Sequence, residues 1–146
     1  MNLKLLKGKL HGVKATGADL DYEGSVVIDQ SLMEMAGIVP FEEVHIWNRT
    51  NGQRLTTYAI EGKPGSGEII VNGAAAHRVS ENDTLIIAAY AYLRPEESKP
   101  TNPSCVDQRA QSGIFEKLVQ FFIFWSSGVL PDKNACVSEG ENCSPA

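Results

Sequence analysis

At 146 residues, 42% of them apolar and 21% charged, the chain is sized for one domain whose core needs neither metal nor disulfide. A net charge of −5 at pH 7 argues against a nucleic-acid partner, because phosphate binding needs an excess of Lys and Arg on one face. The opening residues 1–7 are too short and too interrupted by lysine for a signal peptide, so the expectation is a cytoplasmic enzyme or binding domain with no membrane partner.

In chain order, residues 3–13 alternate apolar side chains with lysines, glycines and a histidine, as a half-buried strand does. Val26, Val27 and Ile28 form a β-branched run directly after Gly24-Ser25. Residues 31–37 predict a short helix, with Ser31 as N-cap, Glu34 completing a capping box and Gly37 as the stop. Residues 44–47 alternate, Asn51-Gly52 is a strong hairpin signal, and residues 54–60 return as the partner strand. Residues 68–71 predict another short strand, and residues 85–93 a long apolar one that ends before Pro95. Many short strands with one or two brief helices predict a mainly β fold. A small closed barrel, which removes exposed sheet edges, is favoured over a sandwich, although pattern alone does not separate them.

Residues 1–95 therefore form the expected barrel domain, and residues 96–146 an unrecognised C-terminal extension rich in Pro, Ser and Asn. The extension holds one apolar run, residues 118–125, too short to cross a bilayer at roughly 20 residues per span. Cys105, Cys136 and Cys143 all lie in it, at spacings that match no zinc site and no disulfide framework, so no metal is expected.

Gly24-Ser25 is an ordinary turn dipeptide that also carries possible chemistry. A serine after glycine can attack the preceding carbonyl, turn the amide into an ester and, by elimination and hydrolysis, leave a pyruvoyl ketone able to form imines with amino acids. A site built on that ketone needs cations for carboxylates, a proton donor and backbone N–H groups. Lys9 and His11 share one face of the first strand, and Arg54 and Tyr58 share one face of a later one. Arg54 can grip a carboxylate with two parallel bonds, and Tyr58 can give a proton. The run Asn72-Gly73-Ala74-Ala75-Ala76 is small enough for a ligand to approach its backbone, and also reads as a tight turn into a short helix. Each residue has a plainer role: Lys9 and Arg54 as solvated charges, His11 as a half-buried strand residue, Tyr58 as a barrel aromatic and Trp47 as core.

Taken in order, Lys7-Gly8-Lys9-Leu10-His11, Ala18-Asp19-Leu20-Asp21-Tyr22-Glu23-Gly24-Ser25, Ile46-Trp47-Asn48, Thr50-Asn51-Gly52, Thr57-Tyr58-Ala59-Ile60 and Val71-Asn72-Gly73-Ala74-Ala75-Ala76-His77 closely resemble the pyruvoyl-dependent aspartate decarboxylases. The resemblance covers residues 3 to about 92 and ends near Arg94. It implies a six-stranded double-psi β-barrel, a homotetramer with sites between subunits, and L-aspartate as substrate for β-alanine formation in pantothenate synthesis. It implies self-cleavage between Gly24 and Ser25, with Ser25 the origin of a covalent pyruvoyl cofactor and Tyr58 the proton donor. Thr57 and the Gly73-Ala74-Ala75 backbone would bind substrate, Lys9 and Arg54 would hold its carboxylates, and Tyr22, Trp47 and Asn72 would shape the pocket or cleavage site. Whether a maturation partner takes part is left open. So are two alternatives: a pyruvoyl enzyme acting on another acidic or small amino acid, and a non-catalytic barrel with Gly24-Ser25 intact.

Overall fold

Eight strands dominate the described residues, and their order explains the fold. The computed structural model describes residues 1–97, 103–107 and 111, all within one compact unit spanning Met1–Ile114. The strands are β1 (Leu3–Lys14), β2 (Gly17–Asp19), β3 (Ser25–Asp29), β4 (Glu43–Asn48), β5 (Arg54–Gly62), β6 (Ile69–Asn72), β7 (Thr84–Leu93) and β8 (Ser104–Asp107). One helix, α1 (Gln30–Ala36), and 3-10 turns at Gly73–Arg78 and Pro95–Glu97 join them.

The strands form one mixed sheet in the order β2-β6-β3-β5-β4-β7-β1-β8. Only residues 15 and 16 link β1 to β2, yet these strands lie six positions apart in the sheet. Laid flat, six strand intervals span about 29 Å, whereas the three Cα steps from Lys14 to Gly17 reach about 11 Å. The sheet therefore rolls up, and the barrel rather than the sandwich is observed. Six strands are expected from the sequence and eight are found. The additions are β2, three residues long, and β8, which lies in the expected tail and pairs in parallel with β1.

Burial follows the alternation. In β4, Val44, Ile46 and Asn48 are buried while Glu43, His45 and Trp47 are not, and Leu10, Val26, Ile28, Ile46, Ile69, Leu85 and Ile87 fill the core. The Asn51-Gly52 hairpin forms as predicted, pairing Trp47 with Arg54 and Val44 with Thr57. Gly8 is where α1 meets the sheet: a Cβ there would sit 1.9 Å from the Ala36 carbonyl oxygen.

The helix departs from expectation at its start. Asp29, not Ser31, is the N-cap, and its carboxylate accepts the Ser31 N–H at 2.7 Å. The same carboxylate accepts from Gly65 N at 3.1 Å and Gly67 N at 2.6 Å, so a distant turn fixes the cap. Burial alone would raise the Asp29 pKa, but the N–H groups of Gly67, Gly65, Ser31 and Leu32 together hold it below the usual carboxylate range. Gly37 ends the helix in the left-handed region as predicted.

The unit reaches beyond residue 95, because β8 extends the sheet and Gln111 clasps it. The Gln111 amide donates to Lys14 O at 2.7 Å and Gly67 O at 2.9 Å and accepts from Lys14 N at 2.7 Å. Cys105 is an exposed free thiol on β8, whereas the run 118–125, Cys136 and Cys143 lie outside the described residues. No helix among the described residues is long and apolar enough to cross a membrane.

Candidate active site

Ser25 is the first residue of β3, held between two strands. It pairs with Asn72 of β6, and the next residue, Val26, pairs with Ala59 of β5, directly after Thr57 and Tyr58. Only 1% of Ser25 is exposed, its φ is 133°, and its Oγ has no hydrogen-bond partner among the described residues. A side chain in such a backbone region costs about 1–3 kcal/mol, and an unsatisfied buried hydroxyl costs a similar amount. The pairing of Ser25 with Asn72, and of Val26 with Ala59 and Val71, holds this backbone in place.

The residues before Ser25 rest on a glycine. Gly73 has φ 60°, and a Cβ there would lie 2.9 Å from Gly24 Cα, 3.2 Å from Gly24 N and 3.3 Å from Tyr22 O. Only a residue without a side chain lets the chain before the Gly24-Ser25 bond lie this close to the 3-10 turn. Gly24 itself is open, since a Cβ there would meet nothing within 4 Å, and Tyr22 is exposed.

A cleft of about 370 Å³ opens beside this bond. It brings together Gly24, Ser25, Thr57, Tyr58, Asn72, Ala74 and Ala75 from three stretches of the chain. The 3-10 turn supplies Ala74 and Ala75, so the small-residue run is at once a short helix and a cleft wall. Thr57 is half-buried and Tyr58 is 41% exposed, which leaves its hydroxyl accessible to a ligand.

The cations are placed differently. Lys9 and His11 lie on β1, where Lys9 pairs with Ala88 and Cys105, and β1 is three strands from β5 in the sheet. Neither lines the cleft of its own chain. The Arg54 guanidinium stacks 5.3 Å from the centre of the Trp47 ring, so Trp47 is a half-buried platform and not interior core. The cation on the cleft wall is Arg78, which sequence reading passes over. Its one available signal is position: a basic residue ending the run that begins at Asn72-Gly73.

Arg78 is firmly seated. Its carbonyl accepts from the Asn48 amide at 3.0 Å and the Asn51 amide at 3.1 Å, and its Nη1 donates to Arg54 O at 2.9 Å. Asn48 is tied in turn to Asp83 at 2.6 Å. The Ser80 N–H and, after it, the Asn48 amide hold Asp83 below the usual carboxylate range against its burial. Among the described residues, no group of three or more His, Cys, Asp or Glu is arranged to hold a metal ion.

The sequence model of the family described as aspartate decarboxylase matches residues 1–114. The chain belongs to the aspartate decarboxylase family. It is 50% identical over 106 residues to the aspartate 1-decarboxylase of Syntrophus aciditrophicus, covering 73% of this chain and 91% of that one. It is 46% identical over 114 residues to the aspartate 1-decarboxylase of Xanthomonas oryzae, covering 78% and 90% of the two chains. The rationally designed mkDPBB_sym1 protein aligns at TM-score 0.40 with 16% identity, over 61% of this chain and 99% of that one. The family match runs past Arg94, where the sequence resemblance was expected to end, and takes in β8 and Gln111.

Proposed function

We propose that the chain cleaves itself between Gly24 and Ser25 and then decarboxylates L-aspartate to β-alanine and carbon dioxide, supplying pantothenate synthesis in the cytoplasm. The observation that carries this reading is the state of Ser25: buried, at φ 133°, its Oγ unpartnered, on the wall of a cleft. A hydroxyl with no competing hydrogen bond, beside a strained peptide, is suited to attack the Gly24 carbonyl carbon. The Oγ–C bond forms as the C–N bond breaks, and the freed nitrogen takes a proton. Elimination then removes the Ser25 α-proton and expels the Gly24 carboxylate from Cβ. Water replaces the nitrogen as ammonia, leaving pyruvoyl at the start of β3.

The residues present fit that group. The pairings of β3 with β5 and β6 would hold it against the cleft, where it would supply a ketone that draws electrons from the α-carbon of a bound amino acid. Thr57 would bond the substrate, the Gly73-Ala74-Ala75 backbone would face its charge, and Tyr58 would protonate the carbon left by carbon dioxide. Arg54 and Lys9 would hold carboxylates. Neither residue lines the cleft of its own chain, so their roles require a neighbouring copy, consistent with a tetramer whose sites lie between subunits. Selectivity for a dicarboxylate then follows, because a neutral side chain would leave a cation unpaired.

Intact mass spectrometry under denaturing conditions, followed by carbon dioxide release across a panel of amino acids, tests the reading. Two polypeptides divided at Gly24/Ser25 and a preference for aspartate are expected. One uncut chain after prolonged warming would sink the cleavage step, and a preference for glutamate would sink the substrate. Ser25→Ala should abolish cleavage and activity together.

A further inference from the structure

Resting on the decarboxylase reading, the geometry points to Asn48 and Asn51 as positioning residues. Together they hold the Gly73–Arg78 turn, and with it the Ala74-Ala75 wall of the cleft, through the backbone carbonyl of Arg78. Packing does not place this turn: none of its six residues is buried, and the side chain of its N-cap, Asn72, makes no capping bond. Its position is set at its two ends. The near end leaves β6 at Asn72, which pairs with Ser25, and Gly73 lies against Gly24. The far end is fastened to the β4–β5 hairpin.

That fastening is itself rigid. Asn48 is only 2% exposed, and besides the Arg78 carbonyl its amide nitrogen donates to Asp83 Oδ2 at 2.6 Å, an oxygen that also accepts from Ser80 N at 2.9 Å. The Asn48 Oδ1 accepts from Thr50 N at 3.0 Å and Asn51 N at 3.4 Å, so every donor and acceptor of the side chain is committed. Asn51 is locked by a bond from Gln53 N to its Oδ1 at 2.9 Å. The Arg78 Nη1 bond to Arg54 O adds a tie to the first residue of β5. Val79 is buried and fixes where the chain leaves the turn, while the two amides fix the direction of the turn's last peptide.

A turn freed at one end pivots about the other. Here the pivot is Gly73, at φ 60° and without a side chain to limit it, so loosening the Arg78 carbonyl lets Ala74 and Ala75 swing relative to Ser25, Thr57 and Tyr58. Those three residues stand on β3 and β5, whose mutual pairing does not involve the turn. A wall fixed beforehand has little ordering cost to meet when a substrate enters, and a loose one has more. The loss should therefore appear in KM and not in kcat, because the reacting groups themselves stay in place.

Two variants and a control test this on the matured enzyme, with kcat counted per cleaved chain by mass spectrometry. Asn51→Asp keeps the oxygen that accepts Gln53 N and leaves an Asp-Gly pair suited to the hairpin, but sets a carboxylate oxygen against the Arg78 carbonyl. KM for L-aspartate should rise about three- to tenfold, the size of one lost hydrogen bond, with kcat within about threefold. Asn48→Asp loses both donors and should raise KM further. Ile46→Ala, in the core on the same strand, loosens the fold without touching the clamp, so its KM should stay within about twofold of wild type. An unchanged KM in Asn51→Asp overturns the assignment. So does an equal rise in Ile46→Ala, which would make the effect one of general stability. Where Asn48→Asp does not fold, Asn51→Asp and Ile46→Ala decide between them. Wild-type protein that releases no carbon dioxide from aspartate defeats the decarboxylase reading, whereas active enzyme with an unmoved KM in Asn51→Asp defeats this inference alone.

Discussion

The seam of β4, β7 and β1 and the region of β2, β3, β6 and the Gly73–Arg78 turn are built from the same strand chemistry but to opposite standards. In the seam, long strands pair over many residues, Leu10, Ile46, Leu85 and Ile87 are fully buried, and the pairing is continuous apart from two register shifts between β1 and β7. Around Ser25 the strands shorten to three, four and five residues, one non-glycine residue sits at φ 133°, and a buried hydroxyl goes unsatisfied. The seam supplies the stability that lets the second region hold unfavourable geometry. Two glycines make the same point: Gly8 brings a helix against the seam, and Gly73 brings the scissile segment against a turn.

Four substitutions should break this division or sharpen it. Tyr58→Phe removes a proton donor and nothing from the core, so cleavage should proceed while turnover falls about 10²- to 10⁴-fold. Mass spectrometry and carbon dioxide release on one sample check both halves, and a variant with wild-type turnover would remove Tyr58 from the mechanism. Ile46→Ala, in the seam, should cost about 2–5 kcal/mol in urea unfolding and leave the cleavage position unchanged in the protein that folds. Gly73→Ala sets a methyl 2.9 Å from Gly24 Cα and should cost about 1–3 kcal/mol, with cleavage at least tenfold slower when followed over time by mass spectrometry. Cleavage at the wild-type rate would mean that the contact does not position the bond.

The smallest effect belongs to a residue that serves structure alone. Asp29→Asn loses charge-assisted bonds to the Gly67 and Gly65 N–H groups and should destabilise by about 1–2 kcal/mol at neutral pH. Because the folded protein lowers the Asp29 pKa, its contribution is complete above the ordinary value of 3.8 and is lost as pH falls through the folded-state value. The stability gap between wild type and variant should therefore narrow below about pH 4, as thermal unfolding across pH will show.

Much of this was legible in residue order. Strand periodicity, the Asn51-Gly52 hairpin and the Gly37 stop depend on neighbours close in sequence, and all three form as predicted. The helix start did not follow its local signal. Ser31 and Glu34 make a plausible capping box, but Asp29 also reaches the turn at 65–67, and that distant contact decides the cap. β8 was missed because a four-residue strand after a Pro-rich stretch carries little periodicity until β1 is there to pair with it.

By itself, then, the sequence determined which segments are strands, where the hairpin turns and which bond is worth suspecting, since these rest on local backbone preference and alternation. Only the tertiary structure decided that Ser25 is buried at φ 133° with a free hydroxyl, that Gly73 carries the segment before it, and that Arg78 faces the cleft where Lys9 and Arg54 do not. The reason is physical: strain, close approach and the direction of a long side chain are set by what packs against a residue, and that comes from strands far away in the chain.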